Sequence, residues 1–328
     1  MTDPAAAPVE TREDDEVGAL RDEVWDRLQR RRLSSRWFYD RRGSELFERI
    51  TRLPEYYPTR TELALLEAHA GPWMQRIRPG SVVELGAGSA RKTRVILDAL
   101  VEEVESPVYV PLDVSAEFLR ATAEGLRTDY PQLRVVPEVG DLTRPLPVVR
   151  HGDPPALFAL LGSTLGNFPP EMAIRILGHV ARAMGADDRF LMGADLKPGP
   201  GKSVAELVAA YDDAQGVTAE FNRNMLRVLN ARAGTDFDPE AFAHRAIWNE
   251  VEGWIEMHLV SRGGATVTVP GRGAMEFAPG DSVRTEISTK YDRATLDHLF
   301  GEAGLEIVEE VADPARRYAM VLARLAPA

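Results

Sequence analysis

The residues best suited to chemistry lie in one short segment, 81–93, which reads Ser-Val-Val-Glu-Leu-Gly-Ala-Gly-Ser-Ala-Arg-Lys-Thr. A short apolar run ends in Glu84, and Gly86 and Gly88 follow before a helix-like stretch that contains Lys92. Glycines in such a turn let bare backbone N–H groups approach a ligand at the start of a helix. The segment therefore predicts a strand, a tight turn and a helix that together bind a nucleotide-like molecule.

Three kinds of nucleotide loop, and a purely structural turn, match parts of this segment. A dinucleotide-binding turn requires a third glycine, but Arg91 stands at that position. A P-loop requires a glycine directly before Lys-Ser/Thr, but Arg91 precedes Lys92 and Thr93. A loop for S-adenosylmethionine (SAM) needs only an acid at the strand end and the spaced glycines, and all of these are present. A SAM site is therefore favoured, while a turn without a ligand remains open.

Further acids stand at the ends of the next predicted strands. Asp113 follows Gly88 by about 25 residues and ends the second strand, where a carboxylate can accept hydrogen bonds from both ribose hydroxyls. Asp141 ends the third strand, where it can accept a hydrogen bond from the adenine amino group. A single acid at such a place is an ordinary helix cap. Three successive acids, counting Glu84, favour a bound adenosine.

Strands and helices must alternate to position these residues. The predicted strands are 81–85, 107–113, 134–140, 156–161 and 190–196, and the predicted helices are 92–103, 116–130 and 170–184. This alternation predicts an α/β fold with a parallel sheet, whose ligands lie at the carboxyl ends of the strands. A helix at 294–303 and strands at 307–311 and 320–324 would close the sheet.

The remaining segments predict a second region that differs in composition. Residues 1–16 are polar and acidic and are predicted to be disordered. A helical apolar pattern covers 17–33, and the prolines of 53–61 are predicted to exclude a regular helix, with Thr61 capping a helix that begins near Glu62. The stretch 204–284 begins as helix and continues as short strands, which predicts an inserted α+β domain. The predicted domains are 17–60 with 197–288 for substrate, and 61–196 with 289–328 for cofactor.

Composition narrows the classes of partner. The chain has 328 residues, a net charge of −12 and a pI of about 5.1, which disfavours a nucleic-acid partner. It contains no cysteine, and its six histidines include no i, i+4 pair, so no metal site is expected. No apolar run reaches membrane length, and the acidic N-terminus does not read as a signal peptide. We expect a cytoplasmic monomer that acts on a small molecule.

Several further motifs together identify a family. The chain resembles the histidine-specific SAM-dependent methyltransferases, which make Nα-trimethylhistidine (hercynine) in ergothioneine biosynthesis. The matching stretches are 37–40, 53–62, 83–86, 162–167, 210–214, 216–219, 221–224 and 285–288. The resemblance implies a Rossmann-like class I SAM-dependent methyltransferase sheet with an inserted α+β substrate domain. Its closing strands would form the antiparallel hairpin of that fold.

The resemblance also implies the roles of substrate-binding residues. Asn167 and Tyr211 would hold the amino-acid end of the substrate, because an amide and a phenol can fix it while the amine loses its proton. Glu286 and Ser288 would bind the two sides of the imidazole, and alternation along a strand puts both on one face. The other residues implied at this pocket are Tyr39, Tyr56, Gly162 and Met257. Tyr39 is the candidate catalytic residue, as an acceptor of the amine proton.

For the cofactor SAM, the expected residues are Tyr56, Glu84, Gly86, Gly88, Lys92, Asp113, Asp141 and Leu142. The resemblance implies that Lys92 pairs with the methionine carboxylate, Asp113 with the ribose and Asp141 with the adenine. Leu142 stands where relatives can carry phenylalanine beside the adenine, so some stacking is lost. Ala87 replaces a serine between the two glycines, which is a conservative change.

The reaction implied is transfer of a methyl group from a sulfonium to the α-amine of L-histidine, repeated three times. Alternatives remain at this point. The acceptor can be another amino acid or amine such as tryptophan, although Glu286 with Ser288 favours a ring with two nitrogens. A nicotinamide-dependent oxidoreductase and a non-catalytic SAM-binding protein are the other candidates.

Overall fold

The computed structural model describes residues 9–88, 90–147 and 151–327, which fall into two compact units. The first unit comprises Met1–Tyr56, Ala205–Glu250 and Ile255–Ile287. The second unit comprises Tyr57–Val204, Val251–Trp254 and Ser288–Ala328. Residues 1–8, where the predicted disordered tail begins, lie outside the described residues.

The elements of both units follow in chain order. The helices are α1 (Val9–Gln29), α2 (Arg41–Ile50), α3 (Tyr57–Ile77), α4 (Thr93–Glu103), α5 (Ala116–Asp129), α6 (Pro170–Ala183), α7 (Val204–Ala209), α8 (Val217–Ala233) and α9 (Arg293–Glu302). The strands are β1 (Ser81–Leu85), β2 (Val108–Asp113), β3 (Arg134–Val135), β4 (Glu138–Val139), β5 (Ala156–Leu160), β6 (Arg189–Asp195), β7 (Phe242–Asn249), β8 (Trp254–Ser261), β9 (Ala265–Val269), β10 (Gly273–Phe277), β11 (Ser282–Thr289), β12 (Leu305–Ala312) and β13 (Tyr318–Leu325).

The second unit is built on an eight-stranded sheet with the order β12-β13-β6-β5-β1-β2-β3, and β4 also pairs with β2. Strands β1, β2, β5 and β6 run parallel, whereas β13 is antiparallel to both β6 and β12. This confirms the predicted Rossmann-like sheet and its closing hairpin. The order reverses between β1 and β5, and ligands of such sheets bind at the carboxyl ends of the strands beside that reversal.

Both faces of this sheet are covered, as a parallel sheet requires. Leu66, Trp73 and Ile96 belong to the core on one face, and Ile176 and Phe300 belong to the core on the other. Every residue of β1 and β5 is buried, which explains why these strands read as continuous apolar runs. Burial of one such side chain contributes roughly 1.5–3 kcal/mol, so the two cores fix the strand ends that carry the candidate site.

Three sequence predictions about element bounds need correction. Helix α3 begins at Tyr57 and includes Pro58, because proline in a first turn lacks only an N–H that has no intrahelical partner. Thr61 is therefore not a cap; its hydroxyl donates to the Tyr57 carbonyl at 2.9 Å inside the helix. Pro137 divides the predicted strand 134–140 into β3 and β4. Helix α1 begins at Val9 rather than after residue 16, since acidic residues are favourable near a helix N-terminus.

The first unit combines α1, α2 and α8 with two small sheets. One sheet has the order β11-β8-β7, and the other is the hairpin of β9 and β10. Short strands were predicted here, but β7 was missed because its polar residues follow no strict alternation. Helix α8 carries the buried Asn222, whose side chain contacts His244 as described below.

Candidate active site

The glycine turn after β1 has the backbone geometry that its sequence predicts. Gly86 and Gly88 have φ values of 70° and 49°, a region that residues with a side chain rarely adopt. The Gly86 amide donates to the Leu112 carbonyl at 2.8 Å, and the Gly88 amide donates to Asp113 Oδ2 at 3.2 Å. A Cβ on Gly88 would meet nothing within 4 Å, so the turn borders open space. The turn and Asp113 therefore lie together at the carboxyl ends of β1 and β2.

Glu84, a predicted cofactor residue, lies in a buried hydrogen-bond network at the end of β1. Its carboxylate accepts hydrogen bonds from the Thr93 hydroxyl at 2.5 Å and from the Tyr109 hydroxyl, and the residue is 4% exposed. These bonds join β1, β2 and the first residue of α4. Glu84 therefore helps to hold the glycine turn in place.

Burial raises the pKa of the Glu84 carboxyl to about 7 from an ordinary 4.5, although hydrogen bonds from Thr93 and Tyr109 act in the opposite direction. Between pH 4.5 and about pH 7, the Glu84 carboxyl is largely deprotonated in the unfolded chain but largely protonated in the folded chain. The free energy of unfolding should therefore fall as the pH rises from 4.5 to 7, by on the order of 3 kcal/mol.

Urea denaturation of the wild type and of Glu84→Gln at pH 5 and pH 7.5 measures this effect. The variant should lose less stability over the interval, because its side chain does not titrate. Equal losses in the two proteins would contradict the assignment.

Asp141 borders an open cleft of about 450 Å³ in the second unit. The cleft is also lined by Val114, Val139, Gly140, Arg144, Pro145 and Pro147. Asp141 Oδ1 accepts from the Thr143 amide at 2.8 Å, and its side chain is 45% exposed. A carboxylate beside exposed apolar side chains suits a purine with an amino group. Leu142 is partly buried and lies beside Gly86, where a Cβ would be 4.0 Å from its Cδ1.

Glu62 on α3 is the centre of a network that the sequence did not predict. Its buried carboxylate forms an ion pair with Lys92 and accepts hydrogen bonds from the Gly162 amide at 2.8 and 3.0 Å. The Tyr318 hydroxyl donates to the same carboxylate at 2.8 Å. Gly193 allows this arrangement, because a Cβ there would overlap Glu62 Oε1. Glu62 therefore joins the predicted cofactor lysine to the predicted substrate loop.

The loop after β5 carries Gly162 and Asn167 to the end of β11. Gly162 has a φ of 77°, and a Cβ on it would lie 3.2 Å from Lys92 Nζ. A Cβ on Gly166 would lie 2.9 Å from the Thr289 carbonyl oxygen, so the two backbones are in close contact. Asn167 is partly exposed in the 3-10 turn that ends this loop. The second unit thus brings Lys92, Gly162 and Asn167 near the chain segment that holds Ser288.

In the first unit, aromatic rings bring three predicted tyrosines together. The ring of Tyr39 lies 5.9 Å from that of Phe47, and the Tyr56 ring lies 6.3 Å from Phe47 and 6.1 Å from Tyr211. All three contacts are edge-to-face. Tyr39 is 49% exposed, whereas Tyr56 and Tyr211 are buried. Such a group of rings presents electron-rich faces that can stabilise a cation.

Behind Tyr211 lies a buried histidine that sequence reasoning missed. His244 Nε2 lies 2.8 Å from the Tyr211 carbonyl, and His244 Nδ1 lies 2.8 Å from the Asn222 side-chain amide. Because the amide donates and the carbonyl accepts, the neutral ring carries its proton on Nε2. Burial lowers the pKa of His244, which favours this neutral form. Scattered histidines gave no signal in the sequence, since the partners of His244 are 22 and 33 residues away.

The other predicted residues of the first unit are Met257 and Glu286. Met257 is 2% exposed on β8, and its carbonyl accepts from the Thr285 hydroxyl of β11 at 3.0 Å. Glu286 is partly exposed on β11, two residues before the buried Ser288. The predicted site residues are therefore divided between the two units. The second unit holds Gly162, Asn167, Ser288 and the cofactor residues other than Tyr56, and the first holds Tyr39, Tyr56, Tyr211, Met257 and Glu286.

Within 9–88, 90–147 and 151–327, no group of three or more histidine, aspartate or glutamate side chains is arranged to hold a metal ion. In the same part of the chain, none of the helices combines the length and apolarity needed to cross a bilayer.

Comparison with known proteins finds a matching family model, related sequences and similar folds. A family model described as histidine-specific, SAM-dependent methyltransferase matches residues 20–325. A histidine N-alpha-methyltransferase from Mycobacterium tuberculosis is 40% identical over 308 residues, which are 93% of this chain and 94% of the relative. Ergothioneine biosynthesis protein 1 from Schizosaccharomyces pombe is 28% identical over 90% of this chain and 40% of its own length. Among solved structures, the CcbJ methyltransferase from Streptomyces caelestis has a TM-score of 0.45 at 17% identity, with 81% of this chain and 89% of that chain covered.

Proposed function

The chain belongs to the histidine-specific SAM-dependent methyltransferase family, and on that premise we propose that it methylates the α-amine of L-histidine three times to give hercynine, the first step of ergothioneine biosynthesis. The observation that carries the choice of acceptor is the Glu286–Ser288 pair on β11. Alternation along the strand puts a carboxylate and a hydroxyl on one face, and these can bind the N–H and the bare nitrogen of one imidazole.

The residues at the strand ends of the second unit fit the cofactor. The open space beside Gly88 leaves room for the cofactor, Asp113 would bind the ribose, and Asp141 would bind the adenine in its cleft. Lys92 would bind the methionine carboxylate beside Glu62. SAM supplies the methyl group on a sulfonium that is already activated, so the protein need not provide a strong acid or a metal.

Positioning of the acceptor supplies most of the proposed acceleration. Asn167 and Tyr211 would hold the amino-acid end, while Glu286 and Ser288 hold the ring. The amine must be neutral when it attacks, and Tyr39, whose side chain is half exposed, would accept its proton directly or through water. The ammonium grows with each methylation, and the aromatic faces of Tyr39, Tyr56 and Tyr211 can stabilise that cation.

Mass spectrometry of a reaction with SAM and L-histidine tests the proposal. We expect products heavier by one, two and three methyl groups, with the trimethylated form dominant at the end. L-Tryptophan in parallel should give no product, because an indole has no second ring nitrogen for Ser288. Binding of SAM without any product from histidine would contradict the proposed acceptor, and binding of NAD instead of SAM would contradict the reaction class.

A further inference from the structure

A fully buried charge cluster lies at the end of β11 in the second unit. Lys202 Nζ is 2.7 Å from Asp195 Oδ1, and Lys290 Nζ is 2.7 Å from Asp195 Oδ2; all three side chains are 0% exposed. The Tyr57 hydroxyl donates to Asp195 Oδ1 at 2.7 Å. Burial by itself would raise the pKa of the Asp195 carboxyl. The ammonium groups of Lys290 and Lys202 nevertheless hold that pKa below its ordinary value. Buried charges must be paired, but two ammonium groups here face one carboxylate.

The two lysines differ in their second partners. Lys202 turns to backbone, with the carbonyls of Leu196 and Arg317 as acceptors. Lys290 Nζ donates to Ser288 Oγ at 2.8 Å. Lys290 Nζ thus lies within 2.7 Å of Asp195 Oδ2 and within 2.8 Å of the Ser288 hydroxyl, and it connects the buried carboxylate to that hydroxyl. Lys290 is therefore hydrogen-bonded to Ser288, a predicted substrate-binding residue.

An ammonium group has donors and no acceptor. Ser288 Oγ must therefore accept from Lys290, and the hydroxyl proton of Ser288 is directed away from Lys290 towards some other acceptor. The order of residues along the chain agrees with this orientation of the hydroxyl. Glu286, Ser288 and Lys290 stand at alternate positions, and burial increases from Glu286 to Lys290. Along this line of side chains, a partly exposed carboxylate is followed by a hydroxyl and then by a buried ammonium group.

We propose that Lys290 is a positioning residue that fixes the Ser288 hydroxyl as a hydrogen-bond donor, so that the site accepts histidine with a neutral imidazole. This inference rests on the proposed function. Ser288 would donate to the unprotonated ring nitrogen, and the N–H of the ring would donate to Glu286. An imidazolium has no bare nitrogen that could accept a hydrogen bond from Ser288.

A double-mutant cycle tests whether Lys290 acts through Ser288. Loss of one hydrogen bond to the ring should raise KM for histidine on the order of tenfold in Lys290→Met and in Ser288→Ala. The double variant should resemble Ser288→Ala alone, with the Kd for SAM within about twofold of wild type throughout. Tyr57→Phe is the matched control, because it removes a hydroxyl that contacts both Asp195 and Lys202 but neither Lys290 nor Ser288 in the same cluster. Its KM should match that of the wild type.

The outcomes separate the two proposals. Two results would overturn the role of Lys290: increases in KM that multiply in the double variant, or an unchanged KM in Lys290→Met. In either case, turnover of histidine by the wild type would still support the proposed function. Absence of that turnover would overturn both.

If Lys290→Met does not fold, NMR of ring-¹⁵N histidine bound to the wild type with S-adenosylhomocysteine decides. One protonated and one hydrogen-bonded bare nitrogen are expected, and two protonated nitrogens would refute the proposal.

Discussion

Replacement of Glu62 by alanine is expected to lower the free energy of unfolding by about 3 kcal/mol and to weaken SAM binding at least tenfold. The substitution removes the acceptor of the Gly162 amide and the Tyr318 hydroxyl, and it also removes the partner of Lys92. Lys92 keeps some contact with water, since its side chain is 23% exposed, so the loss is smaller than for a fully buried pair. Urea denaturation and calorimetric titration with SAM measure the two effects.

Two further variants separate the causes. Glu67→Ala removes an exposed glutamate from the same helix and should change neither quantity by more than about 0.5 kcal/mol. Glu62→Gln keeps a carbonyl oxygen for Gly162 and Tyr318 but loses the charge opposite Lys92, so it should be intermediate. If Glu62→Ala bound SAM as well as the wild type does, the network would not support the cofactor site.

Replacement of Glu286 by alanine should raise KM for histidine by roughly 10- to 100-fold, because a hydrogen bond to a charged group is worth about 1.5–3 kcal/mol. SAM binding should stay within a few-fold, since the expected cofactor residues other than Tyr56 lie in the second unit. Steady-state kinetics with varied histidine and calorimetry with SAM give the two numbers.

Glu276→Ala is the matched control for this substitution. It removes an exposed glutamate from β10 of the same unit and should leave KM unaltered. A loss of SAM affinity in Glu286→Ala, with KM for histidine unaltered, would show that the cofactor and substrate residues have been divided wrongly.

Much of the sheet could be predicted because its signals are local. β1 and β5 are short runs of buried residues, and each strand end carries an acid or a glycine within the same segment. The start of α3 could not be predicted by treating proline as a breaker, because its effect depends on the position in the helix. Pro58 lies in the first turn, where its missing N–H costs nothing.

The supporting residues of the site were missed for a different reason. Glu62 meets Gly162 across 100 residues of chain and Tyr318 across 256. Lys290 and Asp195 are likewise distant in the chain and are brought together where Leu196 pairs with Tyr291. Periodicity and motif spacing report neighbours along the chain, whereas these contacts arise from the strand order. The family resemblance supplied the expected ligand-binding positions but not the groups behind them.

The first unit is assembled from separate stretches of chain, and the polypeptide passes between units at five places, after Tyr56, Val204, Glu250, Trp254 and Ile287. Recombination that swapped this unit for another would have to join all five points at once. With the proposed roles of Glu286 and Ser288, a change of acceptor during evolution is far more accessible through single codon changes on β11 than through exchange of the whole unit. For the same reason, enzyme engineers should seek new acceptors by saturating a few positions rather than by building chimaeras.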